Sequence, residues 1–257
     1  MATNKFKNGN LYIVIYSVVM VTVVAVLLSV TATLLHDRQE GEVLKERQKS
    51  ILQALGKVDD NGVATVKYED FVEAFAVDAQ GNKVECDDVL GLLSDLPAAI
   101  ENGTYPVFKS QDGHYVFPLT GNGLWDVIWG YVALNAEMDT ITGIALDHKG
   151  ETPGLGAEIA TKKHQKLYEG KKLFNKNGEF VSVSLVKGGV KPGDPDADYK
   201  VDAITGGTKT SDGVTAMLKT CLGRYVPFII AETSIPEPAL EEPVDDAEAV
   251  EEESSNE

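Results

Sequence analysis

The chain has 257 residues, 40 acidic side chains against 23 basic ones, and a formal net charge of −17. Neutralising phosphates needs clustered Lys and Arg, and no such stripe exists here, which argues against a nucleic-acid partner. The acidity is also uneven. Residues 232–257 hold 11 Asp or Glu and no Lys or Arg, so the first 231 residues carry 29 acids against 23 bases, or −6. That tail has three prolines and few large apolar groups. It cannot bury enough surface to offset its ordering entropy and reads as a disordered extension. Cys86 and Cys221 are too few for a disulfide framework and lack Cys-x-x-Cys spacing, so unpaired buried thiols are the favoured reading.

No charged residue lies between Asn8 and Leu35. Its core, Leu11–Leu35, would form a helix of about 37 Å, enough to cross a hydrocarbon layer of roughly 30 Å. The run exceeds the apolar stretch of a cleaved signal peptide, so it reads as an uncleaved anchor. Lys5 and Lys7 precede it, and Arg38, Lys45, Arg47 and Lys49 follow it, so charge alone leaves its orientation undecided. Subtracting anchor and tail leaves roughly 190–200 residues, enough for one domain.

Beyond the anchor, His36–Leu55 continues as a helix, ended by Gly56 and Asp59–Gly62. Strand-like runs follow at Phe71–Val77, Tyr115–Leu119, Ile128–Leu134, Ile141–Leu146, Phe180–Leu185 and Phe228–Ala231. Gln80-Gly81-Asn82, Asp112-Gly113 and Asn177-Gly178 read as turns. Thr161–Tyr168 predicts a short helix. Ser211–Leu222 predicts a strong one, with Val214, Met217, Leu218, Cys221 and Leu222 at helical spacing and Gly223 beyond its end. Short strands with a few helices, and no βαβ repetition, predict an α+β domain.

Several kinds of chemistry lack their motif. There is no Walker-type loop, Gly-x-Ser-x-Gly elbow, His-Glu-x-x-His or Gly-x-Gly-x-x-Gly. Asp194, Asp196 and Asp198 imitate a calcium loop, but Tyr199 replaces its Gly and Thr205 its closing Glu, so a solvated acidic turn is the better reading and no metal site is expected. Two stretches remain. One is GLWDVIWGYVAL (Gly123–Leu134) followed by HKGETPGLGAEI (His148–Ile159). The other is VDAITGGTKTSDGVTAML (Val201–Leu218), where Gly206 and Gly207 precede Thr208, Thr210 and Ser211 at a helix start. Backbone N–H groups there suit a phosphate. From spacing alone the plainer reading is that Thr210 or Ser211 simply caps the helix and the glycines make a turn.

Together these segments resemble the C subunit of the bacterial sodium-translocating NADH:quinone oxidoreductase, and the resemblance spans nearly everything before the tail. The related Rnf complex has a similar G subunit, but the long segment before Gly123 and the Gly-Glu-Thr-Pro-Gly-Leu-Gly form favour the quinone reductase. A flavin-free anchored assembly module is the alternative of another class.

The resemblance implies a domain of residues 36–231 that carries FMN, joined through its phosphate to the hydroxyl of Thr208. A separate flavin transferase drawing on FAD would make the ester, because a threonine hydroxyl is a poor nucleophile on its own. Asp202 matches the acidic residue opening the motif, and Gly207 stands where alanine is usual. Gly206, Gly207 and Thr210 belong to the same loop and helix start. Glu151, Thr152, Leu155 and Gly156 match positions around the isoalloxazine ring, with Leu124 and Trp125 as further packing candidates and Lys187 as a weaker one. For Trp125 and Trp129, core packing is the plain alternative. The implied setting is the bacterial inner membrane, with residues 1–10 cytoplasmic and the domain periplasmic. The implied partners are the A, B, D, E and F subunits of a six-subunit complex.

Overall fold

A computed structural model of the protein describes residues 5–233. The expected disordered tail lies, from Ser234 onward, outside the described residues. Helix α1 runs unbroken from Lys5 to Ala54, 50 residues, so the expected anchor and the expected helix after it are one rod. Its Leu11–His36 part has a mean hydropathy of 2.8 and is apolar all round, long enough to cross a membrane.

A six-stranded antiparallel sheet follows, in the order β2-β1-β3-β4-β5-β6. The strands are β1 (Val72–Val77), β2 (Lys83–Val84), β3 (Tyr105–Ser110), β4 (Tyr115–Asn122), β5 (Val127–Leu134) and β6 (Ile141–His148). Short helices α2 (Tyr68–Phe71), α3 (Leu96–Glu101) and α4 (Lys162–Gln165) fill the connections. A separate parallel pair joins β7 (Ser184–Val186) to β8 (Lys200–Asp202), and α5 (Thr208–Glu232) closes the domain.

Strand alternation divides the core in two. Phe117, Leu119, Ile128, Val132 and Leu146 point to one face and pack under Val214, Leu218, Leu222 and Tyr225 of α5. Val116, Tyr131, Ala133 and Ala145 point to the other and meet Ile51, Leu52 and Ala54 of α1. The last turns of α1 are therefore a layer of the domain. Their packing is close: a Cβ on Gly143 would collide with the Ala54 carbonyl oxygen.

Three expectations need correction. Phe228–Ala231 is helical, and Gly223 lies inside α5, not beyond it. The buried positions continue through Tyr225, Phe228 and Ile229 at helical spacing. Burying a large side chain gives about 1.5–3 kcal/mol. Several such residues outweigh the cost of Gly223 (about 1 kcal/mol) and of Pro227 (about 3 kcal/mol). In the run Phe180–Leu185 only Ser184 and Leu185 are strand, because Ser182 adopts φ 61° and breaks the extended backbone.

The register also orients the domain. Ala54 lies over Gly143 at the start of β6, whereas Glu46 and Arg47 line a cleft with Asp147 near its end and with Asn122 and Val127. Helix α1 thus runs antiparallel to β6. The β4–β5 hairpin tip and the end of β6 lie toward the apolar span.

Candidate functional site

Three segments converge at that end. The first is the hairpin tip Gly123–Asp126, the second the loop His148–Gly156 after β6, and the third the loop from Asp202 into α5. Glycines let them meet. A Cβ on Gly213 would collide with the Asn122 carbonyl oxygen, so its absence seats the start of α5 against the hairpin tip. A Cβ on Gly156 would strike both Glu151 Oε2 and Thr210 Oγ1.

Glu151 joins the segments. It is 4% exposed, and its Oε1 accepts the Trp125 backbone N–H at 2.9 Å while Oε2 accepts the Thr210 hydroxyl at 2.5 Å. Burial pushes its pKa up, but the Thr210 hydroxyl and the N–H groups of Trp125, Leu124 and Asp126 outweigh this, and the carboxyl stays below its ordinary value. Glu151 is thus a buried anion that ties hairpin, loop and helix together, with both oxygens already engaged.

Helix α5 begins at Thr208, three residues before the predicted Ser211, with Gly207 as its N-cap and no capping side chain. The alternative reading, a simple cap by Thr210 or Ser211, is therefore not met. Thr210 and Ser211 lie in the first turn, both 1% exposed; Thr210 donates to Glu151, and Ser211 Oγ accepts the Ile204 N–H at 3.1 Å. The Thr208 side chain is exposed. The start of α5 thus has no capping side chain and carries an exposed threonine in its first position, an arrangement that suits a phosphate.

The loop before it is narrow. Gly206 has φ +76°, and a Cβ there would lie 2.6 Å from Leu155 Cδ2. A Cβ on Gly207 would fall 2.9 Å from Ile204 Cγ2 and 3.3 Å from the Gly156 nitrogen. A side chain at Gly207 would therefore be tight.

Around this loop stand exposed apolar side chains: Leu124 at 54%, Trp125 at 70% and Leu155 at 41%. Trp125 is not a core residue. The turn bearing Leu155 is fixed by the Leu155 and Ala157 N–H groups, which both donate to the Thr152 carbonyl at 3.1 Å, and by Gly154 at φ +74°. Thr152 itself is exposed. Lys187 is exposed at the end of β7, one residue past the Val186–Asp202 pair, at the edge where β8 leads into the Thr208 loop. Asp202 accepts the Val190 N–H at 2.7 Å and so holds the β7–β8 ends together. Trp129 is neither core nor rim: it lies on the opposite face, lining the cleft beside α1.

Sequence reasoning missed Gly123, Gly213 and the inward hydroxyl of Ser211. An isolated glycine inside a helical pattern, Gly213, was the available signal for close backbone approach. Elsewhere, Asp194 and Asp196 close on Lys200 at 3.0 and 3.1 Å, which explains that acidic turn. Cys86 and Cys221 are free thiols, Cys221 buried and Cys86 half-buried.

The glycine-lined loop, the uncapped helix start with its exposed Thr208, and the apolar rim fit a phosphate-bearing ligand with a flat apolar ring. Residues 123–223 match the FMN-binding domain family, so the chain is of the class of FMN-binding-domain proteins, here on a long apolar helix. The C subunit of the Na(+)-translocating NADH-quinone reductase of Haemophilus ducreyi is 32% identical over 246 residues, 85% of this chain and 92% of the relative. Its Pseudomonas aeruginosa counterpart is 32% identical over 235 residues, 81% and 89%. The crystal structure of the Parabacteroides distasonis counterpart is 38% identical, with a TM-score of 0.67, covering 76% of this chain and 96% of that one. Shewanella oneidensis NqrC is 28% identical, with a TM-score of 0.63, covering 75% and 98%. The chain belongs to the NqrC family, the C subunits of Na(+)-translocating NADH-quinone reductases.

Proposed function

We propose that this chain is the membrane-anchored electron-carrying subunit of a sodium-translocating NADH:quinone oxidoreductase, with FMN held as a phosphoester on Thr208. The observation that carries the reading is the exposed Thr208 at the uncapped start of α5, behind a Gly206–Gly207 loop packed on Leu155 and Gly156. A flavin transferase using FAD makes the bond in this reading. The threonine oxygen loses its proton and takes the FMN phosphoryl group, and AMP leaves.

Bound FMN supplies one- and two-electron transfer, which no side chain of this domain offers. The protein supplies position. Thr208 fixes the phosphate, and the α5 N-terminus stabilises its remaining negative charge by about 0.3–1 kcal/mol. Gly206 and Gly207 allow backbone approach, while Leu124, Trp125 and Leu155 provide the apolar rim and Thr152 an exposed polar group beside it. Lys187 stands at the edge where a cation favours the phosphate. Glu151 and Thr210 keep the three segments in register.

The apolar span of α1 crosses the bacterial inner membrane in this reading, with residues 1–10 cytoplasmic and the domain of residues 36–231 periplasmic. The flavin end of the domain then faces the membrane and the A, B, D, E and F subunits. Electrons from NADH arrive through those subunits and leave toward quinone, and the energy released drives sodium export. Leu11–Leu35 contains no Asp, Glu, Lys, Arg or His, so the ion path is assigned to those partners.

The test is Thr208→Ala in cells that possess the flavin transferase. The subunit should lose in-gel flavin fluorescence while its circular dichroism and its place in the complex persist. Undiminished fluorescence in the variant would contradict the assignment.

A further inference from the structure

On the face of the sheet opposite the flavin rim, the packing between α1 and the strands is incomplete. A cleft of about 620 Å³ opens there, between the Val43–Ser50 turns of α1, the Ser94–Pro97 loop and the strand residues Thr120, Trp129 and Asp147. Its floor includes an indole left 36% exposed. Its walls carry three carboxylates, Glu46, Asp95 and Asp147, against one cation, Arg47, a balance of −2. None of the three carboxylates has a cation partner among the described residues, although Asp95 Oδ1 accepts the Ala98 N–H at 3.2 Å and Asp147 Oδ1 the His148 N–H at 2.7 Å; Arg47 donates to Ser94 Oγ at 2.9 Å.

Unpaired carboxylates beside an exposed indole complement a cation on a long apolar stem. The ring face attracts the charge, the carboxylates pair with it, and the methylenes cover the apolar floor. Val43 lies seven residues beyond His36, about 10 Å further along the helix axis. A segment leaving the membrane beside α1 meets this cleft early. The chain's own residues 234–257 are a poor occupant, because they carry ten acids and no base and would face the same carboxylates.

We propose that the cleft is the docking site for a Lys- or Arg-bearing segment of another subunit at the membrane surface. The proposal rests on the reading of this chain as one subunit of a complex, but not on the flavin linkage.

The test uses the intact membrane complex. A photo-crosslinking amino acid replacing Trp129 should yield an adduct with a different subunit, mapped to a peptide containing Lys or Arg beside apolar residues. Separately, Glu46→Lys with Asp147→Lys turns the cleft from −2 to +2, and should cut retention of this subunit through detergent washing about tenfold, since like charges across an interface cost several kcal/mol. Flavin fluorescence per subunit should not change. No adduct, an adduct to a second copy of this chain, a crosslinked peptide without Lys or Arg, or unchanged retention would each overturn the proposal. Because fluorescence is read on the same samples, failure of the flavin assignment would show separately as subunits without flavin.

Discussion

The carboxylate of Glu151 accepts the hydroxyl of Thr210 at 2.5 Å, joining two buried side chains 59 positions apart in the chain. With the Trp125 N–H on its other oxygen, this contact makes one rigid unit of the hairpin tip, the β6 loop and the start of α5. Glu151→Ala removes the acceptor of both donors. Leaving buried donors unpaired costs about 1–3 kcal/mol each. The variant should therefore melt several degrees lower and carry less flavin, by thermal denaturation and fluorescence. Glu151→Gln, which keeps one acceptor oxygen, should fall between. A wild-type melting curve for the alanine variant would remove Glu151 from this role.

Gly206 and Gly207 should respond differently to alanine. At Gly206 the backbone is left-handed and a Cβ meets Leu155, so Gly206→Ala combines a conformational cost of about 1–2 kcal/mol with a clash. Gly207 has φ −109° and ψ 37°, and its new Cβ would press on the Ile204 side chain. Gly206→Ala should lower both stability and flavin loading, while Gly207→Ala keeps most of each. Equal loading in the two variants would refute the packing argument.

Trp125 is mostly exposed and should contribute little to folding. Trp125→Ala should change stability by no more than about 0.5 kcal/mol, the usual range for surface sites. It should nonetheless alter the visible absorption of the bound flavin. A large loss of stability with an unaltered flavin spectrum would mean that the indole is structural.

His164 gives the domain a pH dependence. Burial holds its pKa down at about 4, with the Asp202 charge opposing, and its Nε2 shares a hydrogen bond with the Tyr168 hydroxyl at 3.1 Å. In the unfolded chain the ring protonates as pH falls through about 6.5, but in the folded protein only near 4. Its contribution is complete above pH 6.5 and declines as pH falls toward 4. At about 1.4 kcal/mol per unit, the loss reaches about 3 kcal/mol. Urea titrations should show that slope in the wild type and a flatter one in His164→Gln. An identical slope in both would contradict it.

The sequence revealed most of the sheet where apolar residues alternate or run together, as in β4, β5 and β6. It hid β3, because Pro106 breaks the pattern of Tyr105–Ser110. The strand tolerates that proline: pairing with β4 covers only Phe108 and Lys109, and the Pro106 carbonyl accepts the Tyr225 hydroxyl at 3.0 Å. Gly223 misled in the opposite direction, since tertiary burial carries α5 past it and past Pro227. At the site, the sequence placed Gly206, Gly207 and Thr208 at a helix start, where the structure has them. Spacing alone did not show that Thr210 and Ser211 face inward, nor that Glu151 turns away from the rim to accept the Thr210 hydroxyl.

The central claim is the covalent bond at Thr208, and peptide mass spectrometry of the native membrane form tests it most directly. The peptide containing Thr208 should be heavier by FMN less one water, with the added mass on that residue. Unmodified Thr208 in cells that possess the flavin transferase would contradict the account.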